Sequence, residues 1–173
     1  MDDNDRLRAL HDAHADDLVA YVTRRTASPD DAADVIAETF LVAWRRLDDV
    51  PPGHEARLWL FGVARRQLAN SRRSTRRRTR LLGRLTDQLG PALAAAPPGS
   101  PPDSPVMEAI SRLPERDREV LYLVAWEQLS PAEAAVVLGV SPDAARTRLH
   151  RARKRLEAEL DIPASTPALE GTR

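Results

Sequence analysis

The chain contains no cysteine, which excludes disulfides and thiolate metal sites and fits a reducing compartment. No apolar run approaches the roughly 20 residues that a bilayer-spanning helix needs, so no membrane insertion is expected. The N-terminus, MDDNDRLRAL, is acidic where a secretory leader would be basic and then apolar. A soluble, cytoplasmic protein is therefore the expectation. Aromatic residues make up only 4% of the 173 positions. β-Branched residues are sparse as well, while Ala, Leu and Arg abound, a mixture that favours helix over strand. The expected class is all-α. Catalytic signatures are missing too: no phosphate loop, no nucleophile elbow and no paired catalytic carboxylates. His11 and His14 share a helix face, but no carboxylate cluster of suitable geometry joins them, so no metal site is expected. No cofactor and no enzymatic activity are expected.

A further absence is local. The 26 basic and 26 acidic side chains give a formal net charge of zero. Yet residues 57–84 hold 10 bases and no acid, and residues 146–156 hold six bases and no acid. Residues 1–56 carry 13 acids against six bases. One arginine run would read as a solvated face or a tail. Two acid-free blocks, each attached to an apolar helical pattern, point to a polyanionic partner.

Along the chain, Leu7, Leu10, His14, Leu18 and Tyr21 recur at three- and four-residue steps, one face of a helix. SPDD at 28–31 is a helix start, with Ser28 as N-cap and Pro29 in the first turn. The helix it opens aligns Ile36, Phe40, Ala43, Trp44 and Leu47, with Phe40 and Trp44 expected in the core. DDVPPGHE breaks it. Residues 56–70 are helical again, with Leu60, Val63, Ala64 and Leu68 inward. Residues 90–105 hold six of the 14 prolines and read as a flexible Pro/Ala-rich tether between two small helical domains. The expected division is 1–80, a linker over 81–105, a second domain over 106–160, and a flexible tail over 161–173.

Beyond the tether, a short helix stops before Pro114. A second, over 115–129, turns Val120, Leu121, Val124 and Ala125 to one face. Ser130-Pro131-Ala132-Glu133 is a capping box, Gly139 lies in a turn, and Ser141-Pro142 starts the last helix. At about 100° per residue, Ala145, Leu149, Ala152 and Leu156 make a narrow apolar seam, with Val136, Val137 and Leu138 of the preceding helix as its packing surface. Arg146, Thr147, Arg148, His150, Arg151, Arg153, Lys154 and Arg155 fill the remaining arc. This pattern is a helix-turn-helix with a second helix sized for a major groove. Residues near its start reach base edges, making Arg146, Thr147, His150 and Arg151 the candidate readers. Arg153, Lys154 and Arg155 would mostly neutralise phosphate.

In the first half, WLFGVARRQLANSRR sets aromatics before arginines. Trp59 and Phe61 read two ways at this point: as platforms for unpaired bases, or as buried core rings beside Leu58 and Leu60.

DAADVIAETFLVAWRRL, WLFGVARRQLANSRR and LPERDREVLYLVAWEQLSPAEAAVVLGVSPDAARTRLHRARKRL together resemble the extracytoplasmic-function (ECF) sigma factors of bacterial RNA polymerase, a group of the sigma-70 superfamily. The likeness covers roughly residues 5–80 and 106–158. It implies that the first block is a sigma-2-like domain whose Asp34 and Glu38 meet the β′ clamp of the polymerase. It implies that Trp59, Phe61, Arg65, Arg66, Asn70, Arg72 and Arg73 serve the melted −10 element. It implies that the second block is a sigma-4-like domain, reaching the β flap and reading the −35 duplex through the residues of the last helix, 146–154. Expected partners are core RNA polymerase and promoter DNA, with an anti-sigma factor able to cover the exposed basic faces. Ala37 stands where many members carry Gln, and Arg66 where a number carry Asn. Two other readings compete: an operator-binding helix-turn-helix regulator that never joins polymerase, and a nucleic-acid-processing enzyme, for which no metal or nucleophile constellation is present.

Overall fold

A computed structural model of the chain describes residues 2–26, 28–89 and 105–161, with the side chains of the long third helix described through Ser74 and at Arg77. The tether at 90–104 and the tail at 162–173 lie outside the described residues. Seven α-helices and one 3-10 turn make up the regular structure, and no strand occurs among the described residues. Two units carry the fold. The first contains α1 (Asp3–Thr23), α2 (Pro29–Arg45) and α3 (His54–Leu89); the second contains α4 (Pro105–Arg112), α5 (Glu115–Ala125) and α7 (Pro142–Asp161). In sequence, α6 (Pro131–Leu138) links α5 to α7.

Local chemistry sets the helix starts. The Asp2 carboxylate accepts the Asp5 N–H at 2.8 Å, and Asp3 and Asp5 place negative charge in the first turn. The Ser28 hydroxyl accepts the Asp31 N–H at 3.1 Å, with Pro29 following in the first turn. Leu10, Leu18, Tyr21 and Val22 of α1 are buried, and Leu7 and His14 half-buried, as the spacing predicts.

The buried face of α2 differs from the expectation. Ala32, Val35, Thr39 and Ala43 point inward, about 60–100° round the helix from the expected stripe. Trp44 is 46% exposed, and Phe40 is half-buried with its ring 5.0 Å from His11. The inward face is built of small residues, which allow close approach of neighbouring helices. Thr39 joins it without loss because its hydroxyl donates to the Val35 carbonyl at 2.7 Å. A pattern read by hydrophobicity alone favours Phe40 and Trp44 and so rotates the helix.

After α2, a 3-10 turn at Leu47–Asp49 is tied to the start of α1 by Arg6, which donates to Asp48 at 3.0 Å and to the Leu47 carbonyl at 3.1 Å. The bond to Asp48 raises the Arg6 pKa above its ordinary value. Gly53, at φ 62°, takes the left-handed conformation that leads into α3. Ala56, Leu58, Leu60, Phe61, Val63, Ala64 and Leu68 of α3 are buried. This helix continues through Leu89, so the stretch from 81 to 89, expected in the linker, is helical.

In the second unit, Ala109, Ile110, Leu113, Val120, Leu121 and Leu123 are buried. Helix α5 ends at Ala125 rather than near 129. Gln128 takes φ 56°, and the Leu129 N–H returns to the Leu123 carbonyl at 3.0 Å. Ala125, expected inside, is exposed, and Leu123 is fully buried instead. The capping box of α6 is reciprocal: the Glu133 N–H donates to the Ser130 hydroxyl at 3.2 Å, and the Ser130 N–H to the Glu133 carboxylate at 2.7 Å. Gly139, at φ 66°, ends α6 in a Schellman motif, with the Val140 N–H on the Ala135 carbonyl at 3.0 Å and the Gly139 N–H on Val136 at 3.2 Å. Val136 is 63% exposed and Val137 and Leu138 are buried, but the seam of α7 packs chiefly on α5 and α4 rather than on these three residues as expected. The Ser141 hydroxyl caps α7 by accepting the Ala144 N–H at 3.2 Å.

Candidate nucleic-acid interface

Helix α7 packs on α5 and α4 through Ala145, Leu149 and Ala152, with Leu156 half-buried. About 180° from that seam lie Thr147, His150, Arg151 and Lys154, all exposed. Arg146 and Arg153 flank them and are also exposed, while Arg148 is half-buried. Arg146 donates to Asp143 one turn earlier at 2.7 Å, with both side chains well exposed. Such a surface pair contributes little to stability and yields readily to a phosphate or a base.

Arg155, read as mostly a neutraliser of phosphate, has a partner within the protein. It forms an ion pair with Asp117 of α5, whose side chain is only 9% exposed. A carboxylate that deep requires a partner, and Arg155, itself 55% exposed, supplies it. Glu159, one turn on, lies 3.9 Å from Arg112 of α4.

The first unit presents its arginines differently. Phe61, offered as a base platform, is 1% exposed. Its ring stacks on Tyr21 at 4.5 Å with a 13° interplanar angle. The Arg25 guanidinium lies 3.7 Å over Tyr21, and that of Arg57 lies 4.9 Å over Phe61. Arg57 also meets Asp17 of α1 at 2.7 Å. Phe61 is therefore core, with no face open to a base. Trp59 is half-buried against the cluster of Leu10, Ala43, Ala56 and Leu60.

Helical phase sorts the remaining candidates. Arg65 and Arg72 share the sector of Phe61 and Leu68 and are half-buried. Arg72 donates to the Arg25 carbonyl at 3.3 Å. Arg66, Asn70 and Arg73 share the opposite sector and are exposed, and Arg77, which the sequence reading did not single out, extends that line.

An open groove of about 410 Å³ between α2 and α3 is lined by Asp31, Asp34, Val35 and Glu38 on one side and Gln67, Asn70, Ser71 and Ser74 on the other. It brings together Asp34 and Glu38, read as polymerase contacts, with Asn70, read as a −10 contact. Further along the exposed face of α2, Leu41 and Trp44 are solvent-accessible at 39% and 46%. The sequence reading missed this apolar ridge. The signal was present in the three-residue steps from Glu38 to Leu41 to Trp44, in phase with Asp34. His14, half-buried beside Asp17 and Arg57, has its pKa lowered, chiefly by burial.

A helical body followed in the chain by a helix-turn-helix body, each carrying an exposed basic face, defines a two-part DNA-binding protein. Family models agree on both parts: "Sigma-70 region 2" matches residues 10–78 and "Sigma-70, region 4" matches residues 104–156. The chain is 34% identical over 156 residues to the ECF RNA polymerase sigma factor SigL of Mycobacterium tuberculosis, covering 89% of this chain and 88% of that one. It is 34% identical over 154 residues to the RNA polymerase sigma factor CnrH of Cupriavidus metallidurans, covering 83% and 81%. Among solved structures, CnrH in complex with the cytosolic domain of CnrY matches at a TM-score of 0.63 with 28% identity, over 91% of this chain and 89% of that one. The sigma factor RpoE in complex with the anti-sigma factor NepR, from Bartonella quintana, shares the fold at a TM-score of 0.62 with 24% identity, over 93% and 98%. The chain belongs to the sigma-70 family, as an ECF sigma factor. That makes it a polymerase-associated transcription initiation factor rather than a free operator-binding regulator.

Proposed function

We propose that this chain joins core RNA polymerase through the exposed ridge of α2 and directs it to promoters by two separate readings of DNA. Helix α7 reads the −35 element as duplex, with Thr147, His150 and Arg151 toward base edges and Arg146, Arg153 and Lys154 toward phosphates. The outer sector of α3, with Arg66, Asn70 and Arg73, holds the melted −10 strand, and binding energy rather than ATP drives strand separation. On α2, Asp34 and Glu38 offer charge to a basic partner, while Leu41 and Trp44 offer apolar area. The carrying observation is the phase of α7: between Arg146 and Leu156 every residue of the sector opposite its apolar seam is exposed and none is acidic.

Chemistry then belongs to the polymerase, and this chain is not itself an enzyme. It works where the polymerase does, in the cytoplasm; no helix among the described residues is long and apolar enough to cross a membrane. The same exposed faces suit an anti-sigma factor, the kind of partner present in the RpoE–NepR complex.

Run-off transcription with core polymerase tests the reading. A specific transcript that requires this chain supports it. Retardation of duplex DNA without any transcript would return the operator-binding alternative.

A further inference from the structure

We propose that Asp117 is a positioning residue for DNA reading: by holding Arg155 it sets the roll of α7 about its own axis. The inference rests on the reading of α7 as the duplex-reading helix. Ala145, Leu149 and Ala152 are the only buried side chains described in α7. Two alanines and one leucine leave little side-chain relief to interlock, so the seam fixes where α7 lies better than how it is rotated.

The rotation is fixed from the flank. Arg155 lies about 80° from Ala145 around the helix, off the seam and on the same side as Glu159. Asp117 reaches it from α5, 38 residues earlier in the chain. Arg112 of α4 approaches Glu159 at 3.9 Å on that flank. The Arg155 side chain is 55% exposed, so the pair is wet and its strength modest. Its geometric effect is larger. A roll of about 20° moves atoms at the helix periphery by roughly 2 Å, and hydrogen bonds to base edges tolerate only about 0.5 Å. Thr147, His150 and Arg151, on the far side, would lose register with the bases. Contacts to phosphate, made by long flexible side chains, would largely survive.

The pair therefore controls specificity more than affinity. The test uses the full chain, duplexes enriched by the wild-type protein from a random-sequence pool, and scrambled duplexes of equal composition. Binding is read by fluorescence anisotropy across a salt series, with thermal melts confirming equal folded fractions. Asp117→Asn is expected to lower the ratio of enriched to scrambled affinity about tenfold, with scrambled binding nearly unchanged. Arg155→Gln is expected to lower the ratio similarly while leaving the salt slope unchanged, and Arg155→Lys to recover much of the loss. If Asp117→Asn does not fold, the two Arg155 variants, which alter a largely exposed side chain, decide the matter. A wild-type ratio in Asp117→Asn or Arg155→Gln overturns the proposal. So does a salt slope reduced by about 1 in Arg155→Gln, which would make Arg155 a phosphate ligand. If the wild-type chain, alone or with core polymerase, enriches no sequence, the reading of α7 itself falls and the proposal with it.

Discussion

The two basic helices of this protein present positive charge on different foundations. Helix α3 rests on seven buried apolar side chains, stacked rings and arginines laid over those rings. Helix α7 rests on two alanines, a leucine and ion pairs to α4 and α5. Where apolar area is ample, arginines on the inner sector are drawn into packing, as Arg57, Arg65 and Arg72 are. Where it is thin, an arginine at the flank becomes part of the scaffold. A run of arginines is thus divided between packing and exposed surface differently in the two units.

The sharpest way to break this comparison is to remove the core on each side. Phe61→Ala should cost about 3–5 kcal/mol, since it deletes a fully buried ring and a stacking partner together. Leu149→Ala should fall toward the low end of the ~2–5 kcal/mol range for buried leucines, because small neighbours leave a site able to collapse. Denaturant melts of the two variants measure the contrast, and equal losses would remove the distinction.

Next in size is Arg151→Ala, expected to cost about 1–3 kcal/mol on the preferred −35 duplex and much less on unrelated duplex. Arg73→Ala on α3 should instead weaken open-complex formation and leave duplex binding unchanged; potassium permanganate footprinting separates the two. Trp44→Ala should reduce affinity for core polymerase by about 1–3 kcal/mol, the value of burying an aromatic ring on docking, while stability shifts by no more than about 0.5 kcal/mol. A buried Trp44 would reverse that order. Ser130→Ala should cost about 1 kcal/mol by removing one half of the capping box, read as a lowered melting temperature.

The smallest effect expected is a pH dependence confined to the first unit. Burial lowers the His14 pKa below its ordinary 6.5, so the folded chain disfavours the protonated ring. Its contribution is fully present above about pH 6.5 and is lost as pH falls below that value through the folded pKa. His14→Gln should flatten the acid side of the stability profile. An unchanged profile would show that other groups set it.

Much of the fold was legible because the signals lie within a few residues of one another. Ser28, Ser130 and Ser141 start helices as read, Gly139 ends one, and the Ala145–Leu149–Ala152 seam is buried as its spacing requires. The errors share a cause as well. Trp44 was placed inside and Phe61 among the DNA contacts because hydrophobicity and charge say what a side chain could do, not which neighbour reaches it first. The face of α2 is chosen by small residues that let helices approach, and small residues carry a weak hydrophobic signal.

The sequence by itself determined the segmentation into helices, the two acid-free blocks and the family, because caps, periodicity and charge are properties of short stretches. Only the tertiary structure decided which arginines are engaged by other side chains and which stand exposed. That choice turns on residues distant in the chain, Tyr21 stacking on Phe61 and Asp117 capturing Arg155. A buried ring or carboxylate takes the nearest suitable partner in space, wherever that partner falls in the sequence.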